Sequence, residues 1–142
     1  MKHIGFDLIR VTEAAAISAA KWVGSGNKLE ADRAATEAMK DRLNKLDFAG
    51  TVKIGEGKKD GSYGLFKGDQ VGAGWIWDRT ERNWSIAEHL HKIPEHYDIA
   101  VDPIDGTTPT ANSGPEAMSV IAIGNKDSMF DTEEHYMLKL SV

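Results

Sequence analysis

The chain has 142 residues, of which 27% are charged and 41% hydrophobic, and its formal net charge is −5. That length suffices for a hydrophobic core, so we expect residues 1–142 to form a single domain. The sequence contains no cysteine, which excludes disulfides, zinc–thiolate sites and thiol nucleophiles. No run of Lys or Arg forms a basic stripe, which argues against nucleic acid as a partner.

The apolar stretches of the sequence are all short. None approaches the roughly 20 residues of a membrane-spanning helix. The first residues also lack the apolar core of a signal peptide. We therefore expect no membrane partner and a cytoplasmic location.

Two amphipathic helices are predicted in the first third of the chain. In the first, over about residues 7–23, apolar side chains recur at helical spacing or its multiples, at Leu8, Val11, Ala15 and Trp22. In the second, over about residues 30–46, the apolar stripe consists of Ala35, Met39, Leu43 and Leu46. The short connection between them suggests that the two helices pair as a hairpin.

The pattern changes to strands after the second helix. Alternation predicts a half-buried strand over residues 50–55, and apolar runs predict strands over residues 97–101 and 118–123. Residues 55–74 are rich in glycine and charge, which predicts turns with one or two short strands. Residues 136–142 alternate up to the last residue, which indicates a cut or an abbreviated chain. The predicted fold class is α+β, with an N-terminal helix pair packed on a largely antiparallel sheet.

Residues 75–96 differ in composition from the rest. They contain three tryptophans and three histidines: Trp75, Trp77, Trp84, His89, His91 and His96. A short helix is predicted over residues 85–91, capped by Ser85 with Glu88 three residues later. The histidines suggest either a transition-metal site or a surface loop or oligomer contact. We favour the contact, because a His-x-His pair on a helix points its rings apart and aromatic residues are enriched at interfaces.

The most informative motif is Asp102-Pro103-Ile104-Asp105-Gly106-Thr107-Thr108. It places two carboxylates after an apolar run and before a glycine turn. Carboxylate and carbonyl oxygens are the ligands that Mg²⁺ prefers and Mn²⁺ accepts. A glycine turn lets backbone N–H groups approach an anionic oxygen closely. Taken alone, the motif is equally compatible with a simple turn, since Asp, Pro and Gly favour turns.

Further acidic residues stand at the ends of predicted elements. Glu56 follows a strand and is flanked by glycines, and Asp60 comes four residues later. Asp32 falls in the first turn of the predicted second helix, where the helix dipole favours a carboxylate. Each has an ordinary interpretation, Asp32 as a helix-terminal acid and Glu56 as a turn residue. Together with the motif, these acids could converge on two or three metal ions.

The motif resembles the signature of the lithium-sensitive, metal-dependent phosphomonoesterase superfamily, which includes inositol monophosphatases and fructose-1,6-bisphosphatases. Longer stretches resemble class II fructose-1,6-bisphosphatase, some cyanobacterial members of which also cleave sedoheptulose 1,7-bisphosphate. These stretches are Arg10-Val11-Thr12-Glu13-Ala14-Ala15-Ala16, Lys21-Trp22-Val23-Gly24, Ala31-Asp32, Gly50-Thr51-Val52, Ile54-Gly55-Glu56-Gly57, Asp98-Ile99-Ala100-Val101, Ser113-Gly114-Pro115 and Tyr136-Met137-Leu138-Lys139-Leu140. The resemblance covers the N-terminal half of the family and leaves residues 75–96 as an insertion.

The resemblance implies roles for individual residues. The implied ligands of Mg²⁺ or Mn²⁺ are Asp32, Glu56, Asp102, Asp105 and the carbonyl of Ile104. The implied substrate contacts are Asp105, Gly106, Thr107 and Tyr136. The implied catalytic residues are Thr107, which would position the attacking water, and Asp60. The implied fold is the first half of the family's layered sandwich.

The activity implied by the resemblance is hydrolysis of fructose 1,6-bisphosphate to fructose 6-phosphate and phosphate, with sedoheptulose 1,7-bisphosphate as a further substrate. Such an enzyme is a hydrolase of carbohydrate metabolism and gluconeogenesis. Its partner is a small sugar phosphate, and we expect a homo-oligomer. Two alternatives stay open: a phosphatase for a smaller phosphomonoester, and a truncated, non-catalytic module that binds metal or phosphate. Clustered acids favour an enzyme, because a scaffold has no physical need for carboxylates that repel one another.

Overall fold

A computed structural model describes residues 4–57, 63–87 and 95–130. The helices in these ranges are α1 (Ile4–Ala20), α2 (Lys28–Leu43) and α3 (Thr107–Ala111). The strands are β1 (Ala49–Ile54), β2 (Gln70–Val71), β3 (Trp75–Asp78), β4 (Asn83–Ile86), β5 (His96–Asp105) and β6 (Met118–Asn125). The predicted strand over residues 136–142 lies outside the described residues. No helix within the described ranges is long and apolar enough to cross a membrane.

The two predicted helices are confirmed, and they pack along each other as expected. The buried side chains of α1 are Leu8, Val11, Ala15 and Ala19, and those of α2 are Ala31, Ala35, Thr36, Met39 and Leu43. Helix α1 ends before Trp22, which lies part-exposed in the following turn. Leu46 lies beyond the end of α2 but is buried in the same core. The helical repeat therefore predicted the buried residues correctly except for Trp22, and the helix ends only approximately.

Helix α2 begins earlier than its apolar pattern indicates. The side-chain oxygen of Asn27 accepts the backbone N–H of Glu30 at 3.2 Å, which caps the helix and lets it start at Lys28. Asp32 is therefore not in the first turn, and that prediction was wrong. The first-turn acid is Glu30. The helix dipole consequently gives no explanation for a carboxylate at position 32.

The main sheet has the strand order β2–β1–β5–β6. Both outer pairs are antiparallel, whereas the central pair, β1 and β5, is parallel. Val52, Ile99 and Val101 are buried in a core shared with α1 and α2, so one helix pair covers one face of the sheet. The α+β prediction is confirmed, and the mixed sheet is largely antiparallel. The strands predicted over residues 97–101 and 118–123 are both present and longer than predicted.

The parallel pairing of β1 and β5 decides where their carboxyl ends lie. The last registered pair is Ile54 with Ala100. Glu56 comes two residues after Ile54, beyond the end of β1, and Asp102 comes two residues after Ala100, within β5. The two acids therefore lie towards the carboxyl ends of neighbouring parallel strands.

Strands β3 and β4 form a separate two-stranded hairpin. Trp77 pairs with Trp84 across it, with ring centroids 5.3 Å apart in an edge-to-face arrangement, and the two residues are 46% and 48% exposed. Trp75 turns towards the main sheet instead, and its indole N–H donates to the carbonyl of Gly50 at 2.9 Å. The hairpin is thus tied to the sheet by one tryptophan and exposes the other two.

The predicted helix over residues 85–91 is wrong at its start. Ser85 and Ile86 belong to β4, where they pair with Ile76 and Trp75. Pairing with β3 satisfies their backbone groups in an extended conformation, so Ser85 is not a helix cap. Residues 88–91 of that segment, including His89 and His91, lie outside the described residues. His96 opens β5, and its Nε2 lies 3.1 Å from the hydroxyl of Thr51 on β1.

Candidate metal and phosphate site

Strand β5 carries the acidic motif to the edge of the sheet. In its pairing with β6, Asp102 aligns with Val120 and Asp105 with Met118, so β5 has one extra residue between these pairs. This is a β-bulge, and it contains Pro103, which has no N–H to give to a ladder. A bulge redirects the side chains beside it. The motif is therefore an irregular strand end and not the simple turn that its composition also allowed.

The carboxyl group of Asp102 lies half-buried and close to other acids. Its Oδ1 accepts the backbone N–H of Ile104 at 3.2 Å. Burial raises the pKa of Asp102, the negative charges of Asp105 and Asp32 raise it further, and the Ile104 N–H acts in the opposite direction. Asp105 and, with a smaller effect, Asp32 therefore each lie within electrostatic range of Asp102.

Asp32 reaches this position because α2 is fastened to α3. In the turn before α2, the N–H of Gly24 donates to the carbonyl of Thr110 at 3.1 Å. The N–H of Gly26 donates to the carbonyl of Ala111 at 2.8 Å. These two bonds hold the first turns of α2 against the segment that follows β5. Asp32 is partly buried there, and burial raises its pKa.

Gly106 separates β5 from α3 and has a left-handed backbone with φ of 100°. A Cβ at this position would lie 3.2 Å from the Cα of Ala117, so a side chain would be both strained and crowded. The Gly106 carbonyl accepts the N–H of Thr110 at 3.0 Å and its hydroxyl at 2.9 Å. The next residue, Thr107, is partly exposed. The backbone at Gly106 is thus fixed in a conformation that favours glycine.

Glu56 is held at the end of β1 by the loop of residues 63–69. Its backbone N–H donates to the carbonyl of Leu65 at 3.1 Å. A Cβ on the preceding Gly55 would lie 2.0 Å from that same carbonyl oxygen. The glycine before Glu56 is therefore required by this close approach.

The structure brings some of the predicted ligands together but not all of them. Within residues 4–57, 63–87 and 95–130, no three His, Asp or Glu side chains form a ready-made metal-binding cluster. Asp105 and Asp32 nevertheless lie close enough to Asp102 for their charges to raise its pKa. A divalent cation would offset that repulsion, and carboxylate oxygens are the donors that it prefers. The donor set therefore fits Mg²⁺ or Mn²⁺ in chemistry. Asp60 and Tyr136 lie outside the described residues.

Sequence reasoning missed two features beside this site. One is Leu65, whose carbonyl contacts Gly55 and Glu56. In the sequence, only the glycines at positions 64 and 68 indicated a loop there. The other is Asp98, a fully buried carboxylate on β5 that accepts the backbone N–H of Met129 at 3.1 Å. In the sequence, Asp98 could be noticed only as a single acidic residue at the start of an apolar run. Both matter because they fix the chain around the strands that carry the acids.

Comparison with known proteins gives a consistent family. The family model described as bacterial fructose-1,6-bisphosphatase, glpX-encoded, matches residues 2–142. The D-fructose 1,6-bisphosphatase class 2/sedoheptulose 1,7-bisphosphatase of Trichormus variabilis is 41% identical over 138 residues, which cover 97% of this chain and 38% of that relative. The protein of the same description from Synechococcus elongatus is 41% identical over 140 residues, covering 99% and 39%. The chain therefore spans about 38% of the length of these relatives, and it belongs to the bacterial, glpX-encoded fructose-1,6-bisphosphatase family.

Proposed function

We propose that this chain carries the metal and phosphate site of a sugar-bisphosphate phosphatase. The proposed reaction is hydrolysis of fructose 1,6-bisphosphate to fructose 6-phosphate and phosphate, with sedoheptulose 1,7-bisphosphate as a further substrate. The observation that carries the proposal is the half-buried carboxyl group of Asp102, with Asp105 and Asp32 close enough to raise its pKa, on the strand that leads into the left-handed Gly106. The curated relatives are described as phosphatases of these two sugar bisphosphates, which supports the same assignment.

The proposed metal ligands are the carboxylates of Asp32, Glu56, Asp102 and Asp105 with the carbonyl of Ile104. Bound Mg²⁺ or Mn²⁺ would supply Lewis acidity, lowering the pKa of water and offsetting charge on the phosphoryl oxygens. Asp32 belongs to α2, Asp102 and Asp105 belong to β5, and Glu56 follows β1, which is part of the same packed core. Rigid elements hold such groups more precisely than loops do.

The proposed phosphate contacts follow directly after the acids. The left-handed Gly106 lets a phosphoryl oxygen approach the backbone without meeting a Cβ. The hydroxyl of Thr107 stands one residue further, where it would orient the attacking water by hydrogen bonding. The roles proposed for Asp60 in catalysis and for Tyr136 in substrate binding rest on the family resemblance alone.

Phosphate release from fructose 1,6-bisphosphate, with Mn²⁺ or Mg²⁺ supplied, tests this proposal. The variant Asp102→Asn removes a ligand charge, and Asp41→Asn is a matched control, because Asp41 is an exposed acid paired only with Lys45 along the helix surface. Loss of an outer partner of a metal site costs about 10- to 100-fold in activity. We therefore expect Asp102→Asn to lose at least about 100-fold while Asp41→Asn keeps the wild-type rate. Equal rates for wild type and Asp102→Asn would contradict the assignment.

Two other candidates are separated by the choice of substrate. They are a phosphatase for a smaller phosphomonoester and a non-catalytic module that binds metal or phosphate. Release from a small phosphomonoester, with none from either bisphosphate, would identify the first alternative. Metal binding without release from any substrate would identify a non-catalytic metal- or phosphate-binding module.

We also propose that the chain forms a homo-oligomer. The exposed pair of Trp77 and Trp84 supports this, because paired indoles in water are a large apolar surface and aromatic residues are enriched at interfaces. Size-exclusion chromatography of the purified chain tests the proposal. A monomer at all accessible concentrations would contradict it.

A further inference from the structure

Leu65 has an unusual backbone for a large apolar residue. Its φ is 58°, in the left-handed region that non-glycine residues seldom adopt. Four other non-glycine residues among those described have positive φ, and all four are exposed: Arg82, Ser113, Glu116 and Asp127. Leu65 is fully buried. Strained backbone that is also buried persists only where its surroundings hold it, and such strain is concentrated at functional sites.

The left-handed turn at Leu65 directs its carbonyl at the end of β1. That oxygen accepts the N–H of Glu56, and it occupies the space beside Gly55 that a side chain would need. Phe66, the next residue, forms a parallel bridge with Glu56. The backbone of Glu56 is therefore held from the loop side by two consecutive residues.

Helix α2 anchors this loop at both ends. Near its start, the Arg33 guanidinium lies 5.8 Å from the ring centroid of Tyr63. Further along, the Lys40 ammonium lies 3.5 Å from Oδ2 of Asp69, and that same oxygen accepts the N–H of Phe66 at 3.3 Å. The lysine also passes under Gly64, where an added Cβ would lie 3.2 Å from its Nζ. The charged face of α2 thus holds the loop that holds Glu56.

We propose that Lys40 and Leu65 are positioning residues that set the distance between Glu56 and Asp32. Asp32 is part of α2, and Glu56 is tied to α2 through the loop of residues 63–69. One helix would then place two ligands that come from different parts of the sequence. This inference rests on the proposed function, because it requires Glu56 to be a metal ligand.

The test is the affinity of the purified chain for Mn²⁺, measured by isothermal titration calorimetry. The variant Lys40→Met removes the contact with Asp69 and keeps most of the side-chain stem. Lys45→Met is the matched control, because it removes the same charge from a lysine that lies two residues after α2. Lys45 pairs with Asp41 at 3.1 Å and not with the loop of residues 63–69. Lys40→Arg restores a cation that can pair with Asp69. Glu56→Gln reports whether Glu56 binds the metal at all.

We expect Lys40→Met to weaken Mn²⁺ binding about 10-fold, the low end of the effect of a group that orients a metal ligand. Lys45→Met should stay within about 2-fold of wild type, since exposed ion pairs contribute little, and Lys40→Arg should recover most of the loss. The direction of the change in Mn²⁺ affinity is diagnostic, because removing the positive charge of Lys40 would by itself strengthen the binding of a cation. An ion pair that only stabilised the fold would change the unfolding midpoint and leave the affinity unaltered.

The outcomes separate this inference from the function on which it rests. If Glu56→Gln weakens Mn²⁺ binding and Lys40→Met does not, the positioning role is refuted and the metal site stands. If the wild-type chain does not bind Mn²⁺, or Glu56→Gln binds as wild type, the proposed ligand set is wrong and the inference falls with it. Weakening by both variants, with recovery in Lys40→Arg, supports both.

Discussion

Adding one methyl group at Gly55 tests the packing between β1 and the loop of residues 63–69. The Cβ of Gly55→Ala would lie 2.0 Å from the carbonyl oxygen of Leu65 and 2.8 Å from a methyl carbon of Val52. Carbon and oxygen atoms normally approach no closer than about 3.2 Å, so the loop must move by more than about 1 Å. Leu65 cannot yield by rotating a side chain, because the crowded atom belongs to its backbone.

The cost of that movement follows from its two parts. Overpacking with backbone displacement typically costs about 1–3 kcal/mol. The hydrogen bond from Glu56 to the Leu65 carbonyl contributes about 0.5–1.5 kcal/mol and would be broken or bent. We therefore expect Gly55→Ala to lose about 2–4 kcal/mol of unfolding free energy. For a chain of this size, that loss lowers the melting temperature by about 6–15 °C.

Urea unfolding followed by tryptophan fluorescence measures the effect. The matched control is Gly5→Ala, the same chemical change in α1, where an added Cβ meets nothing within 4 Å. Alanine in a helix is favoured over glycine, so the control should gain up to about 0.5 kcal/mol. A Gly55→Ala chain that unfolds at the wild-type urea concentration would refute the close approach of Leu65 to β1.

Three further predictions concern charge and the core. Burial and the neighbouring acids raise the pKa of Asp102, so the metal-free chain loses stability as pH rises through that pKa. Asp102→Asn should therefore raise the metal-free melting temperature at neutral pH, and a lower melting temperature would contradict the repulsion. Burial, followed by the charge of Lys126, lowers the pKa of His96 from 6.5. The unfolded chain then takes up its proton first, so stability should fall as pH drops from about 6.5 through the lowered pKa, and urea midpoints of His96→Gln should show a flatter slope. Met39→Ala empties a fully buried position in α2; it should cost about 2–5 kcal/mol in urea unfolding, and a smaller loss would mean that the core collapses into the cavity.

The sequence predicted the helix pair because helical periodicity is a local property. Except for Trp22, the residues predicted for the apolar stripes are buried, since burial of one face is what stabilises a short helix. The start of α2 was missed by two residues, because Asn27 lies outside the apolar stripe and extends the helix by capping. The hairpin β3–β4 was not predicted at Ser85, because Ser85 with Glu88 matches a local helix-capping pattern. In the structure, Ser85 pairs with Ile76 instead.

At the candidate site, too, the sequence predicted some features and the tertiary structure decided others. The residues proposed to carry the chemistry were identified from the sequence alone, because carboxylates beside glycines are recognisable in any sequence and short stretches of sequence identify the family. Only the tertiary structure decided which of them meet. The parallel pairing of β1 and β5 puts Glu56 and Asp102 towards the carboxyl ends of neighbouring strands, and two backbone hydrogen bonds from the α1–α2 turn to α3 hold the start of α2, and with it Asp32, beside the segment that follows β5. These contacts, and the contact of the Leu65 carbonyl with Gly55, are made by backbone groups. Nearly every residue type has the same backbone N–H and carbonyl, so the pattern of side chains does not predict which of them will pair.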